Sequence, residues 1–389
     1  MKKAARELSQ KTERQKNAFL GELAAILKNY KKRILEENTR DLKAAKKQNL
    51  PSAFLERLTL DEKGFDGLVR KVLKMQRLDA GIGKIIEEKT VEGDLLLHKV
   101  RVPIGIIAIV YEARPEVTID IAALCIKSGN VAILKGGSEA IQTNIILYKC
   151  VIEALNKTDF RKESINFISS TKRNDILDLL KRNDLINLII ARGSYAMVRY
   201  IQQHSSIPVL AHSSGGARFY IDKSADVSLV KRILINAKIT KPSACNSLDT
   251  IVIHKALVER LLPDIQRWMS NEGVEIVEND WMTEFLDLRV SIKIVDNIDE
   301  AIRFVNTYSK RHSEGIIATD THAIQQYTAQ VDAAALFVNC SSRLHDGYVF
   351  GLGSEMGIAT GKLHARGPVG LKELTIYKWI VYGKGHIRK

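Results

Sequence analysis

Hydrophobic and polar positions alternate with two periods along the chain. Residues 11–48 carry apolar Phe19, Leu20, Leu23, Ile26 and Leu27 on one side of a helical pattern, whose 3.6-residue period predicts one long amphipathic helix. Beyond it, short β-branched runs alternate with helical ones: strand 104–110, helix 115–127 with Pro115 in its first turn, strand 131–135, helix 138–155, strand 165–169, helix 174–182, strand 185–191 and helix 195–204. A second series starts after the turn Ser213-Ser214-Gly215-Gly216: strand 219–221, helix 227–237, strand 250–254, helix 256–269, strand 291–295, helix 298–307, strand 315–318, helix 321–330 and strand 335–338. Such alternation predicts parallel βαβ units in two α/β lobes. Two segments fit neither lobe. Residues 85–102 read as a hairpin turning at Glu92-Gly93-Asp94, and 375–382 as a β-branched and aromatic strand. Open strand edges invite pairing with another chain, so a homo-oligomer is expected.

Composition narrows the class. The 389 residues are 45% hydrophobic and 27% charged, an ordinary globular balance that excludes disorder and collagen. No apolar run reaches the roughly 20 residues of a membrane span, and no apolar stretch follows the basic N-terminus, so a cytoplasmic location is expected. The net charge is +14, and the first 50 residues hold 14 Lys+Arg against 6 Asp+Glu. Neither zinc-finger spacing nor an aromatic RNA-binding motif accompanies that charge, which fits a solvated helix face or anionic small substrates better than nucleic acid.

Candidate chemistry sits at a few positions. Cys125, Cys150, Cys245 and Cys340 are far apart, so neither a disulfide framework nor a metal site is expected. Cys125 and Cys150 fall in helical runs and read as inert core thiols; Cys340 ends a strand and is open to either role. Cys245 differs, standing in Lys238-Ile239-Thr240-Lys241-Pro242-Ser243-Ala244-Cys245-Asn246, a polar loop with two lysines. A thiol with pKa near 8.5 is about 3% ionised at pH 7, and nearby cations raise that fraction, so Lys238 and Lys241 are candidates to favour the thiolate. The glycine fingerprint of dinucleotide sites is absent after the first strand. Instead, Lys135-Gly136-Gly137-Ser138 joins a strand to a helix, and Arg192-Gly193-Ser194 ends another strand. If both turns meet at one sheet edge, they form a nucleotide crevice.

Several blocks together resemble the gamma-glutamyl phosphate reductase family, a branch of the aldehyde dehydrogenase superfamily. They are Val102-Pro103-Ile104-Gly105, Tyr111-Glu112-Ala113-Arg114-Pro115, Leu134-Lys135-Gly136-Gly137, Lys241-Pro242-Ser243-Ala244-Cys245-Asn246 and Leu363-His364-Ala365-Arg366-Gly367-Pro368, spread over nearly the whole chain. The resemblance implies an aldehyde dehydrogenase-like fold with cofactor and catalytic lobes and an oligomerisation hairpin. It divides the chain into 1–85 and 103–229 for the cofactor, 86–102 for the hairpin, 230–351 for catalysis and 352–389 for a return segment with the oligomerisation strand. It implies Cys245 as nucleophile, Asn246 beside it in the oxyanion site, and NADPH held by Lys135, Gly136, Gly137, Ser138, Arg192, Gly193, Ser194 and Glu284. Glu112, Arg114, Lys238 and Lys241 are its candidates for the substrate L-glutamyl 5-phosphate, with His364 and Arg366 shaping the pocket. Oxidising members of the superfamily carry a water-activating glutamate in a Glu-Leu-Gly-Gly turn; here the turn is Ser213-Ser214-Gly215-Gly216, and no Asp or Glu lies between Asp184 and Asp222. A reductase is therefore expected, with His212 the one alternative base and a separate glutamate kinase supplying the substrate.

Overall fold

The computed structural model describes all residues except 171, 213 and 389, and all side chains except those of 53, 92, 173 and 212 as well. The chain divides into two compact units: Met1–Leu210 with Leu352–Met356 and Val369–Lys389, and Ala211–Gly351 with Gly357–Pro368. Among the described residues no helix is long and apolar enough to cross a membrane.

The helix predicted over 11–48 is one helix, Glu13–Lys47, which Thr12 and Gln15 start with a reciprocal capping box, and a separate short helix, Lys2–Gln10, precedes it. Phe19, Leu20, Leu23 and Leu27 of the longer helix are fully buried. Two further helices, Ser52–Leu58 and Glu62–Met75, pack beside it.

Next comes the hairpin, β1 (Ile85–Val91) and β2 (Leu95–Pro103), which turns at Gly93 with φ 76°. The C-terminal strand Thr375–Tyr382 pairs antiparallel with β2 and completes a three-stranded sheet. The main sheet of unit 1 comprises β3 (Ile106–Tyr111), β4 (Val131–Gly136), β5 (Ile165–Phe167), β6 (Leu188–Arg192) and β7 (Val209–His212), in the order β5-β4-β3-β6-β7. The chain starts at the central strand, runs to one edge and returns to the other, so the sheet switches direction between β3 and β6. At such a point the loops leaving the two strands diverge and open a crevice at the carboxyl ends. Both faces of β3 and β4 are buried, which explains their continuous apolar runs.

Unit 2 carries β8 (Ala217–Ile221), β9 (Leu248–His254), β10 (Glu275–Val277), β11 (Arg289–Val295), β12 (Ser313–Ile317) and β13 (Ala335–Val338), in the order β10-β11-β9-β8-β12-β13. All five pairings are parallel. Residues 211–229, which the sequence division groups with the cofactor segment, contribute β8 and the start of helix Val227–Ile239 to this unit. The physical reason is that β8 is hydrogen-bonded on both sides, to β9 and β12.

Candidate active site

Unit 1 holds a cavity of about 520 Å³ at the carboxyl ends of β3, β4 and β6. The Lys135-Gly136-Gly137-Ser138 turn lines it from β4, and Ser194 and Met197 line it from the chain after β6. The two turns thus meet at one crevice, the condition that the sequence left open. Glycine at 136 and 137 lets the chain pass close to neighbours, because a Cβ there would overlap the Asn144 amide and the Glu139 carboxylate respectively. Ser194 caps helix Tyr195–His204 by accepting from the Met197 N–H. The Glu112 carboxylate accepts from the Ser194 N–H at 2.6 Å, and the Glu139 carboxylate accepts from the Ala113 N–H at 2.6 Å. Ala113 has φ 50°, a left-handed conformation that costs about 1 kcal/mol or more for a residue with a Cβ. Its N–H bond to Glu139 holds it there.

Lys135 is buried, and desolvation draws its pKa below the usual lysine range while Asp175 and Glu139 oppose the shift. Its ammonium donates to the Gly136 carbonyl at 3.2 Å. The wall therefore offers ammonium, hydroxyl and carboxylate groups around a space of nucleotide size, a donor and acceptor set that fits ribose hydroxyls and phosphate. Arg192 is placed differently from the sequence expectation. Its guanidinium donates to the Met356 carbonyl within unit 1, and burial lowers its pKa, so it anchors the 352–356 segment and does not line the cavity. Glu112 likewise lines this cavity and braces the β6 turn. Arg114 lies on the same loop outside the cavity lining.

In unit 2 three neighbouring strands begin side by side, and Cys245 stands where they do. The Cys245 turn leads into β9, the glycine turn leads into β8, and His312 precedes β12. The Gly216 N–H donates to the Cys245 carbonyl at 2.6 Å, and the Ala217 N–H to the Ser247 carbonyl at 2.8 Å. A Cβ at Gly215 would overlap the Cys245 backbone, so glycine at 215 is a packing requirement of the cysteine turn. Ser213 and the His212 side chain, the alternative base, lie outside the described residues.

Asn246 is 5% exposed, and its Nδ2 donates to the His345 carbonyl at 3.0 Å. Ser342 Oγ donates to the Asn246 carbonyl at 2.7 Å. Its amide thus ties the cysteine turn to the 342–345 segment. Behind it, His345 Nδ1 lies 2.8 Å from Ser313 Oγ, which lies 2.7 Å from His312 Nδ1. Burial pulls the His345 pKa down to about 4, so its ring is neutral at pH 7.

Lys238 corrects the sequence expectation. It is fully buried, donates to the Leu248 carbonyl at 2.8 Å and stands 3.7 Å from Asp249. A cation held this way is structural and is not presented to substrate. Lys241 is exposed at the start of the turn, where its carbonyl accepts from the Ala244 N–H. Glu284 is half-buried, and its charge acts on Asp249 and Lys310. Arg366 donates to Asp332 at 2.7 Å and to the Thr360 carbonyl, which makes it a turn clamp, while His364 is exposed. Cys125 and Cys150 are buried thiols whose pKa values burial raises to about 12, as inert core positions require.

Sequence reasoning missed Arg343. Its charge interacts with Cys245, and it sits between Ser342 and His345. The Asn339-Cys340-Ser341-Ser342-Arg343 run carried no periodic or motif signal to mark it.

Comparison with known proteins agrees with this architecture. Residues 1–275 match the model of the aldehyde dehydrogenase family. The gamma-glutamyl phosphate reductase of Dehalococcoides mccartyi (strain CBDB1) is 40% identical over 406 residues, covering 99% of this chain and 96% of that protein. The crystal structure of gamma-glutamyl phosphate reductase from Thermotoga maritima superposes with a TM-score of 0.95 at 35% identity, covering 100% of this chain and 98% of that one. An engineered glycolyl-CoA reductase with bound NADP+ shares the fold, with a TM-score of 0.72 at 12% identity and coverage of 98% of this chain and 94% of that one. Aldehyde dehydrogenase membership carries a nicotinamide cofactor with it. The chain is an oxidoreductase of the aldehyde dehydrogenase fold and belongs to the gamma-glutamyl phosphate reductase family.

Proposed function

We propose that the chain reduces L-glutamyl 5-phosphate to L-glutamate 5-semialdehyde and phosphate with NADPH, through a thioester on Cys245, as the second step of proline synthesis. The observation that carries this reading is the cysteine turn, clamped by Gly216 and by the 342–345 segment. The Cys245 thiolate attacks the acyl carbon, an S–C bond forms, and the C–O bond to phosphate breaks with its electron pair leaving on phosphate. Backbone N–H groups of the 245–246 turn hold the oxyanion, because the Asn246 side chain is committed to His345. When bound, the reduced nicotinamide supplies the hydride. Collapse of the thiohemiacetal then returns the thiolate and releases the semialdehyde. Lys135, Ser138 and Ser194 hold the cofactor at the unit 1 cavity.

The stretch between Asp184 and Asp222 has no acidic side chain to activate water, which favours reduction or phosphorolysis of the thioester over hydrolysis. Run in reverse, NADP reduction by the semialdehyde is expected to require phosphate and to be slower with NAD. Equal rates with and without phosphate would instead mark a hydrolysing aldehyde oxidase.

The site is proposed to work in the cytoplasm, fed by a glutamate kinase that meets it transiently. The chain is further proposed to be a homo-oligomer built on the three-stranded sheet. β1 is exposed along its whole length, and Ile85, Ile86, Ile376, Trp379 and Val381 are exposed on the sheet. Sedimentation equilibrium is expected to give a multiple of 43.6 kDa; a monomer at all concentrations overturns this.

A further inference from the structure

Arg343 lies between two anchors of the cysteine turn. Ser342 holds the Asn246 carbonyl at 2.7 Å, and the His345 carbonyl holds the Asn246 amide at 3.0 Å. The backbone that carries Arg343 is therefore fixed against the residue next to Cys245. The side chain is partly buried, and its Nε is buried with no hydrogen-bond partner. Among the described residues no carboxylate forms an ion pair with it, whereas Arg218 and Arg366 of the same unit pair with Glu314 and Asp332. The charges that act on Arg343 are Cys245 and Asp346, both favouring its cationic form against the burial that opposes it. A partly desolvated guanidinium with no carboxylate partner costs stability until an anion meets it.

We propose that Arg343 binds the phosphoryl group of the acyl phosphate while Cys245 attacks, and holds the phosphate as it leaves. This rests on the activity proposed above. Two anionic groups on that substrate compete for a guanidinium. The phosphoryl group is joined through one oxygen to the carbon that the sulfur attacks, whereas the α-carboxylate is at the far end of the five-carbon chain. A cation on the segment that clamps the cysteine turn is therefore matched to the phosphoryl group. The planar guanidinium offers parallel N–H donors to two phosphate oxygens and stays protonated throughout. As the C–O bond breaks, the electron pair moves onto the phosphate oxygen, and Arg343 stabilises that developing charge.

The test is the reverse reaction, followed as NADP reduction by the semialdehyde at varied phosphate. Arg343→Gln is expected to raise the KM for phosphate roughly 10- to 100-fold and leave the KM for the semialdehyde within about twofold, with Arg343→Lys in between. An unchanged phosphate KM, or a rise confined to the semialdehyde KM, overturns the assignment. Alkylation of Cys245 by iodoacetamide across pH needs no turnover and is expected to shift its midpoint only upward in Arg343→Gln, together with the raised phosphate KM, because a cation that the thiolate favours also favours the thiolate. An upward shift of that midpoint with an unchanged phosphate KM assigns Arg343 to the thiolate and overturns the proposal. A wild-type protein that shows no phosphate dependence overturns the activity itself, and this inference falls with it; phosphate dependence in the wild type with an unaltered variant overturns the inference alone.

Discussion

Replacing Cys245 with alanine is expected to lower kcat by about 10⁴-fold or more in the phosphate-dependent reaction, while Cys340→Ala stays near wild type. The proposed thioester route runs through this one sulfur, and loss of a covalent nucleophile leaves only binding and oxyanion stabilisation. The substitution is small, and the turn is held by the Gly216 N–H and the Ser342 hydroxyl, in bonds that need no sulfur. The circular dichroism spectrum and melting temperature are therefore expected to be unchanged, which separates lost chemistry from lost folding. Stopped activity with intact structure, plus loss of iodoacetamide labelling at 245, is the outcome that supports the mechanism. A variant turning over at the wild-type rate would remove the covalent step from it.

The second large effect is expected in stability, at the buried pair beneath β8 and β12. Arg218 and Glu314 are both fully buried, and Nη1 stands 3.3 Å from Oε1. The Arg218 N–H donates to Glu314 Oε2 at 2.9 Å, Ser309 Oγ to Oε1 at 2.6 Å, and Arg218 Nη2 to the Trp281 carbonyl at 3.1 Å. Arg218→Met removes the cation and leaves a carboxyl in the core, with an expected cost of about 3–5 kcal/mol. Burial already pushes the Glu314 pKa up to about 7 with Arg218 opposing it, so removal of the arginine pushes it higher.

The sign of the pH dependence follows. In the unfolded chain Glu314 ionises near 4.3, whereas in the folded variant it must stay neutral. Each pH unit above about 4.3 therefore favours unfolding by about 1.4 kcal/mol until the native pKa is reached. The urea midpoint of the variant is expected to fall further below wild type at pH 8 than at pH 5. Arg218→Met combined with Glu314→Gln is expected to recover much of the loss at pH 8, since a neutral amide carries no ionisation penalty. A pH-independent gap between variant and wild type would mean that packing, rather than charge, sets the cost.

The hydrophobic pattern was legible where one period dominates. β3 and β4 were marked by unbroken β-branched runs because both faces are buried, and the helices of both units by their 3.6-residue apolar stripes. The short helix Lys2–Gln10 was not, because among its nine residues only Ala4 and Leu8 are buried, too few to mark a stripe. β7 and β10 were too short, at four and three residues, to carry a period of their own. Lys238 and Arg192 show the same limit at the site. Both stand in motifs that resemble a binding set, and both have side chains committed to carbonyl groups within their own unit. A one-dimensional motif records which residue types recur and not which direction each side chain takes.

Residue types and their order alone determined the two α/β series, the distinct polar setting of one cysteine among four, and the acid-free glycine turn. These depend on local propensity and on reactivity that belongs to the residue itself. Only the tertiary structure decided that the glycine turn presses on the cysteine turn, that Asn246 points back to His345, and that the 342–345 segment clamps the residue next to Cys245. Residues 215, 245, 313 and 345 are brought together because β9, β8, β12 and β13 lie side by side in an order that differs from chain order. That adjacency is set by packing and hydrogen bonding between segments far apart in sequence, which no local pattern encodes.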